Sequence, residues 1–327
     1  MSSSDFSFQS FSDILDGARK ASNRHWYNCC IPGCNEQALK HSHIIPQCVL
    51  KKYICNSKHE LVQCQVDEIH PMSAIGVGEL SFEKFVTTGI EKAMSMPIFC
   101  AKHDNGLFAK YEINADAFSP KSTLFQVLQS LRAIGALRHR EERMFVQNNE
   151  KAKNDSFYIG GIYEDEKKNY QYLLRRYDAN IASLYYAVSN NDFGSFEFVC
   201  IELKRIGVAV CDAIVDEEDL EKYCLDDNYA EPMNLLYVHL LPKEEHSYLI
   251  IGYDKRYVSE GQKILLKRWT KGLKSTTFLK TIYKILCHCS NNWCISPNCD
   301  EKVIEWLKNN YSIDRENTIL GDSIDAD

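Results

Sequence analysis

The chain has 327 residues, 45% of them hydrophobic, and a formal net charge of −7 with a pI near 5.8. The length suits two or three domains, and the acidic balance excludes a basic nucleic-acid coat, so any DNA or RNA contact has to be local. No apolar run approaches the ~18 residues of a membrane span, and the opening "MSSSDFSFQSFSDILDGARK" lacks the basic and apolar regions of a secretory leader; a cytoplasmic protein without membrane contact is expected. In a reducing compartment its 14 cysteines read as metal ligands or buried thiols before they read as disulfides.

In chain order, residues 5–21 read as an amphipathic helix, with Phe8, Phe11, Ile14, Leu15 and Ala18 at helical spacing. Residues 26–112 are irregular and rich in Cys, His and Gly. A long helix follows, opened by "SPKS", where Ser119 suits the cap and Pro120 the first turn. Leu124, Leu128, Leu131, Ile134 and Leu137 keep to one of its faces. It runs into "RHREER" (138–143), whose interleaved charges read as a solvated face. A loop over 151–168, including "YIGGIY" as a glycine turn, precedes a second helix at 169–188. Four strand-length runs then appear, "FEFVCIEL", "IGVAVCDAIV", "MNLLYVHLL" and "SYLIIGY". Helices return at about 258–287 and 300–310. The fold class is α+β in three parts: a metal-rich module over 1–115, a helical region over 116–195, and a mixed recognition or regulatory region over 196–327.

Two tight pairs carry the metal chemistry. "CCIPGC" offers Cys30 and Cys34 around a Pro-Gly turn, with Cys29 as the alternative to its neighbour Cys30. "FCAKHDNGLF" offers Cys100 and His103 where a turn enters a helix. Three thiolates and one imidazole make a closed tetrahedral set, the pattern of a structural zinc site. Between the pairs stands "KHSHIIPQ", in which His41 and His43 fall on one face of a strand. The late cluster Cys287, Cys289, Cys294 and Cys299 has a spacing that fits no common zinc module and reads as buried thiols under Trp293. His59 and His70 carry no recognisable pattern.

The order of a Cys pair, a His-Ile-Ile-Pro segment, and a Cys-x2-His-Asp segment opening a helix resembles the zinc-bearing HNH endonucleases of the ββα-metal type. More narrowly, "CIPGC", "SHII" and "FCAKHDNGLF" look like a variant group whose wider family occurs in bacterial antiphage and restriction systems. The resemblance covers about residues 26–112. It implies an N-terminal zinc-stabilised ββα finger that hydrolyses DNA; the expected partners are DNA, with RNA as the alternative, and a protein partner or oligomer for activation. It places His43 as the general base that takes a proton from water. Asp104 falls where the family binds its catalytic Mg²⁺ or Mn²⁺, with His41 as a second candidate.

Two departures stand out. Ser42 replaces the ligand expected before the base, and no counterpart of the family's middle Asn occurs in "GIEKAMSMPIF". They support an alternative from another class, a non-catalytic zinc module that binds protein or nucleic acid. A third reading makes the block a zinc-stapled structural subdomain. The stretch before "FCAKHD" reads as an insertion within the finger.

Overall fold

The four apolar runs after residue 195 become strands, and all but the first, an edge strand with Glu197 and Glu202 exposed, have both faces largely buried, which is why they alternate so little. They are β5 (Phe196–Lys204), β6 (Val208–Val215), β7 (Leu235–Lys243) and β8 (His246–Asp254) in the computed structural model, which describes residues 8–67, 82–154, 160–216, 219, 231–289 and 292–319. Ala209, Cys211, Ala213, Leu235, Tyr237 and Ile250 face one core, and Val208, Val210, Leu236, Val238 and Ile251 face another. Period-two alternation is thus intact, but it separates two apolar layers.

Three further strands complete the sheet. The stretch read as an insertion forms β2 (Glu60–Asp67) and β3 (Phe82–Gly89), an antiparallel pair running from Glu60 opposite Gly89 to Asp67 opposite Phe82. A three-residue strand, β9 (Trp293–Ile295), lies between β2 and β6. The seven-stranded order is β3-β2-β9-β6-β7-β8-β5, with every recorded pairing antiparallel. The sheet therefore draws strands from both the 1–115 and 196–327 segments, and the α+β class holds. No described helix is long and apolar enough to cross a membrane.

One face of the sheet carries α4 (Thr123–Asn154) and α5 (Gly160–Asn190). The other carries α6 (Glu260–Leu273), α7 (Phe278–His288) and α8 (Glu301–Ile319). Trp293 anchors this second layer, its indole N–H donating to Tyr311 Oη at 3.0 Å while that hydroxyl donates to Leu286 O at 3.0 Å. At the amino end, α1 (Phe8–Arg24) lies along α4.

Several expectations shift. The long helix starts at Thr123, and the hydroxyl near its first turn is that of Ser122, 3.5 Å from the Phe125 N–H, not Ser119. Pro120 instead offers its carbonyl to the Gln126 side chain at 2.7 Å. Residues 160–163 of "YIGGIY" begin α5 and are helical, so the loop is shorter than expected. "RHREER" is only in part a solvated face. Arg138 is largely buried and donates to Asp178 of α5 at 2.5 Å and to Glu142 at 2.6 Å. His70 lies outside the described residues.

Candidate metal centre

The Pro-Gly turn of "CCIPGC" is a knuckle. Gly33 has φ of +77°, a left-handed value natural to glycine, and the Cys34 N–H closes the turn on Ile31 O at 3.0 Å. On its first arm consecutive side chains point oppositely, as on any extended chain. The Cys29 N–H donates to Glu36 O and the Cys30 N–H to Ile98 O. That alternation decides between the two cysteines. Cys29, Cys34, Cys100 and His103 bring their ligand atoms within 4.8 Å of one another. Cys30, the first choice from the sequence, turns instead into the core, its Sγ 3.5 Å from where a β-carbon on Gly135 of α4 would stand.

The second pair comes from α3 (Ala101–Ile113), with Cys100 at its N-cap and His103 in its first turn. Zinc bond lengths of about 2.3 Å to sulfur and about 2.0 Å to nitrogen imply edges of roughly 3.8 Å and roughly 3.6 Å in a tetrahedral site. Cys34 Sγ and Cys100 Sγ are 3.8 Å apart. His103 Nδ1 lies 3.4 Å from Cys29 Sγ and 3.3 Å from Cys100 Sγ. These four donors fit a zinc ion.

The electrostatics suit the same ion. Burial pushes the Cys29 thiol up to about 12 and raises that of Cys100, so without a cation both stay protonated. A divalent metal supplies the charge that turns such thiols into ligating thiolates. Burial, and then the Lys102 charge, lower the His103 pKa and keep the imidazole in its neutral, ligating form. Tyr185 of α5 meets the His103 ring edge-on at 6.0 Å. The late cysteines do not converge: Cys294 sits in the core under α4, whereas Cys287 and Cys289 sit in the core beneath α6 and α7.

The histidine segment forms β1 (Ser42–His43), paired antiparallel with β4 (Ser95–Met96), Ser42 opposite Met96 and His43 opposite Ser95. Strand alternation turns Ser42 to the face opposite His41 and His43. Ser42 is fully buried, and its hydroxyl donates to Asp104 Oδ1 at 2.5 Å. Ser42 is the residue that the sequence reading undervalued; the alternation that paired His41 with His43 also placed it on the other face. Asp104 Oδ2 has no partner among the described residues.

His43 is half-buried, with Nε2 3.1 Å from Ile90 O. A carbonyl can only accept, so this contact fixes the Nε2–H tautomer and leaves Nδ1 as a free lone pair. His41 is exposed and reaches Ser95 Oγ through Nδ1 at 3.3 Å. Its pKa is lowered by partial burial and then by the charges of Lys40, His43 and Lys92. Behind this ribbon α2 (Gln47–Tyr53) begins at Pro46, and Glu112 at the end of α3 accepts from Gln47 N at 2.8 Å. The same carboxylate pairs with Arg132 of α4, whose guanidinium lies 4.1 Å over the Phe108 ring. Finger and long helix are thereby locked together. Compared with protein-family models, with curated proteins and with solved structures, the chain matches none.

Proposed function

We propose that the module is a zinc-stabilised, HNH-like finger that hydrolyses phosphodiester bonds in DNA, of the kind that serves antiphage defence. One observation carries this reading: an antiparallel ribbon, β1–β4, leads directly into a helix whose first turn holds Cys100, His103 and Asp104, with Ser42 of the ribbon on Asp104. That is a strand–strand–helix order with two of the four zinc ligands, Cys100 and His103, at the strand-to-helix junction. His43, its tautomer set by Ile90 O, takes a proton from water at Nδ1 as the attacking hydroxide forms. Asp104, whose Oδ1 is held by the Ser42 hydroxyl, would offer its second carboxylate oxygen to Mg²⁺ or Mn²⁺, hard cations that take oxygen ligands. Bound there, the ion neutralises charge on the phosphate.

The test is cleavage of plasmid and phage DNA by zinc-loaded protein with Mg²⁺ or Mn²⁺. Wild type is expected to cut, and His43→Ala to lose at least ~100-fold in rate with its zinc content unchanged. Equal cutting by the variant removes His43 from the mechanism.

A second reading is a non-catalytic zinc module. Ser42, a weak cation ligand, already occupies Asp104 Oδ1 at 2.5 Å. This reading predicts bound zinc, no dependence on Mg²⁺, and no cutting by either protein.

A further inference from the structure

A cleft of about 690 Å³ opens beside the ribbon, walled by four separate stretches of chain. Arg24 comes from the end of α1, Lys40 and His41 from the approach to β1, Lys92 from the approach to β4, and Arg143 from α4. Among the described residues no acidic side chain lines it. In a chain of net charge −7, four cations around one acid-free concavity are a local reversal of the whole-molecule field. Arg24, Lys40, Lys92 and Arg143 make no ion pair among the described residues. Acids near the cleft include Glu142, paired with Arg138 and 3.6 Å from His25, Glu36 beside the lining residue Gln37, and Glu91, which acts on His41 from outside the lining.

A second observation is independent of charge. His139, one helical turn before Arg143, lines the same cleft while about nine-tenths buried, and its Nδ1 has no hydrogen-bond partner among the described residues. A buried ring nitrogen left unpaired is costly to the fold and marks a place where a ligand or water completes the bonding. Tyr27 packs edge-on against this ring at 4.4 Å and holds it in place.

We propose that this cleft binds the phosphodiester backbone of DNA and delivers it to the ribbon face carrying His41 and His43. The proposal rests on the nuclease reading only for what happens to the strand after it binds. The occupant is a polyanion because the cations come from separate segments around the cleft rather than from one turn, so they meet successive phosphates. Two of them, Lys40 and Lys92, act on His41 itself, which brings the track to the ribbon face that His41 shares with the candidate base His43.

The experiment is fluorescence anisotropy of a labelled DNA duplex with zinc-loaded full-length protein and no added Mg²⁺ or Mn²⁺, over a salt series. Lys40→Glu/Lys92→Glu replaces two exposed lysines. Lys267→Glu/Lys271→Glu on α6 changes the net charge equally, elsewhere on the surface. The cleft pair is expected to weaken binding at least ~10-fold and to flatten the log K against log[salt] slope by about 2, one per lost contact. The α6 pair is expected to stay within about twofold. Equal loss in both pairs, or no binding by wild type at low salt, overturns the proposal. Stoichiometric displacement of the duplex by micromolar inorganic pyrophosphate also overturns it, in favour of a small-anion site. Binding lost in the cleft pair without cutting by wild type sinks the nuclease reading and leaves the cleft standing. Cutting with binding unchanged in the cleft pair does the reverse.

Discussion

The Ser42 hydroxyl donates to Asp104 Oδ1 at 2.5 Å, joining a ribbon strand to a helix 62 residues further along the chain. Ser42 is completely buried and Asp104 half-buried. The pair marks the position at which a cation would have to be held.

Replacing Ser42 with Asp puts two carboxylates face to face in a buried setting. The variant is expected to lose about 2 kcal/mol or more without added metal, because the new charge has no partner. Mn²⁺ should restore it, by about 2.7 kcal/mol at a hundredfold excess over Kd. Ser42→Ala, which removes only the hydrogen bond, should cost about 1–2 kcal/mol and show no such rescue. Thermal unfolding with and without Mn²⁺ reads both. A Ser42→Asp protein indifferent to Mn²⁺ shows that the position is closed to cations.

The neighbouring cysteines separate by chemistry. Cys29→Ser is expected to drop bound zinc from about one ion per chain to a small fraction, since a closed site needs all four donors. Cys30→Ser should keep its zinc and lose about 1–3 kcal/mol for a hydroxyl buried in apolar surroundings. Metal content by mass spectrometry, alongside urea unfolding, checks the contrast. The opposite pattern reassigns the ligand.

Gly135 is where the long helix touches the finger. A β-carbon there would stand 2.3 Å from Ile98 Cγ2 and 3.5 Å from Cys30 Sγ. Gly135→Ala should therefore destabilise by about 1–3 kcal/mol through overpacking, despite the ~1 kcal/mol that alanine adds to helix propensity. The urea midpoint measures it. A stabilised variant means that α4 can shift away from the finger.

His239 of β7 is wholly buried, with Nε2 3.2 Å from Ser130 Oγ and Nδ1 unpaired. Ser130 already donates to Gln126 O at 2.9 Å, so the imidazole donates to the serine oxygen and is neutral. Burial holds its pKa down at about 3, against about 6.5 when unfolded. Between those values the unfolded chain binds the extra proton. Stability is full above about pH 6.5 and falls as pH drops toward 3, by on the order of 2 kcal/mol from about pH 7 to about pH 5. His239→Gln should lose that part of the pH dependence, seen by comparing urea midpoints at the two pH values. An unchanged profile places the titration elsewhere, His139, about nine-tenths buried, being another imidazole held at about 3.

Much was legible in the sequence because the interactions concerned are local. Helical spacing marked α4 and α5, apolar runs marked β5 to β8, and the Cys-x2-His spacing marked Cys100 and His103, since i to i+3 on a first turn brings two side chains together. Cys34 followed from the turn at Gly33. The strand alternation that puts His41 and His43 on one face puts Ser42 on the other, but which face is inward came only from the fold.

The remainder depends on contacts between distant segments. Adjacent Cys29 and Cys30 are chemically equivalent in sequence, and only the packing of Ile98 and α4 against one side of the knuckle decides which thiol meets His103. The hairpin β2–β3 and the three-residue β9 have meaning only as neighbours of one another and of β6, because a short strand is stabilised by the ladders on either side of it and not by its own composition. The basic cleft gathers Arg24, Lys40, Lys92 and Arg143 from four places in the chain. Local propensity determined the long helices, the four strands after residue 195 and three of the four zinc ligands; long-range packing, which no short window of sequence contains, decided the fourth ligand, the remaining strands of the shared sheet and the cleft.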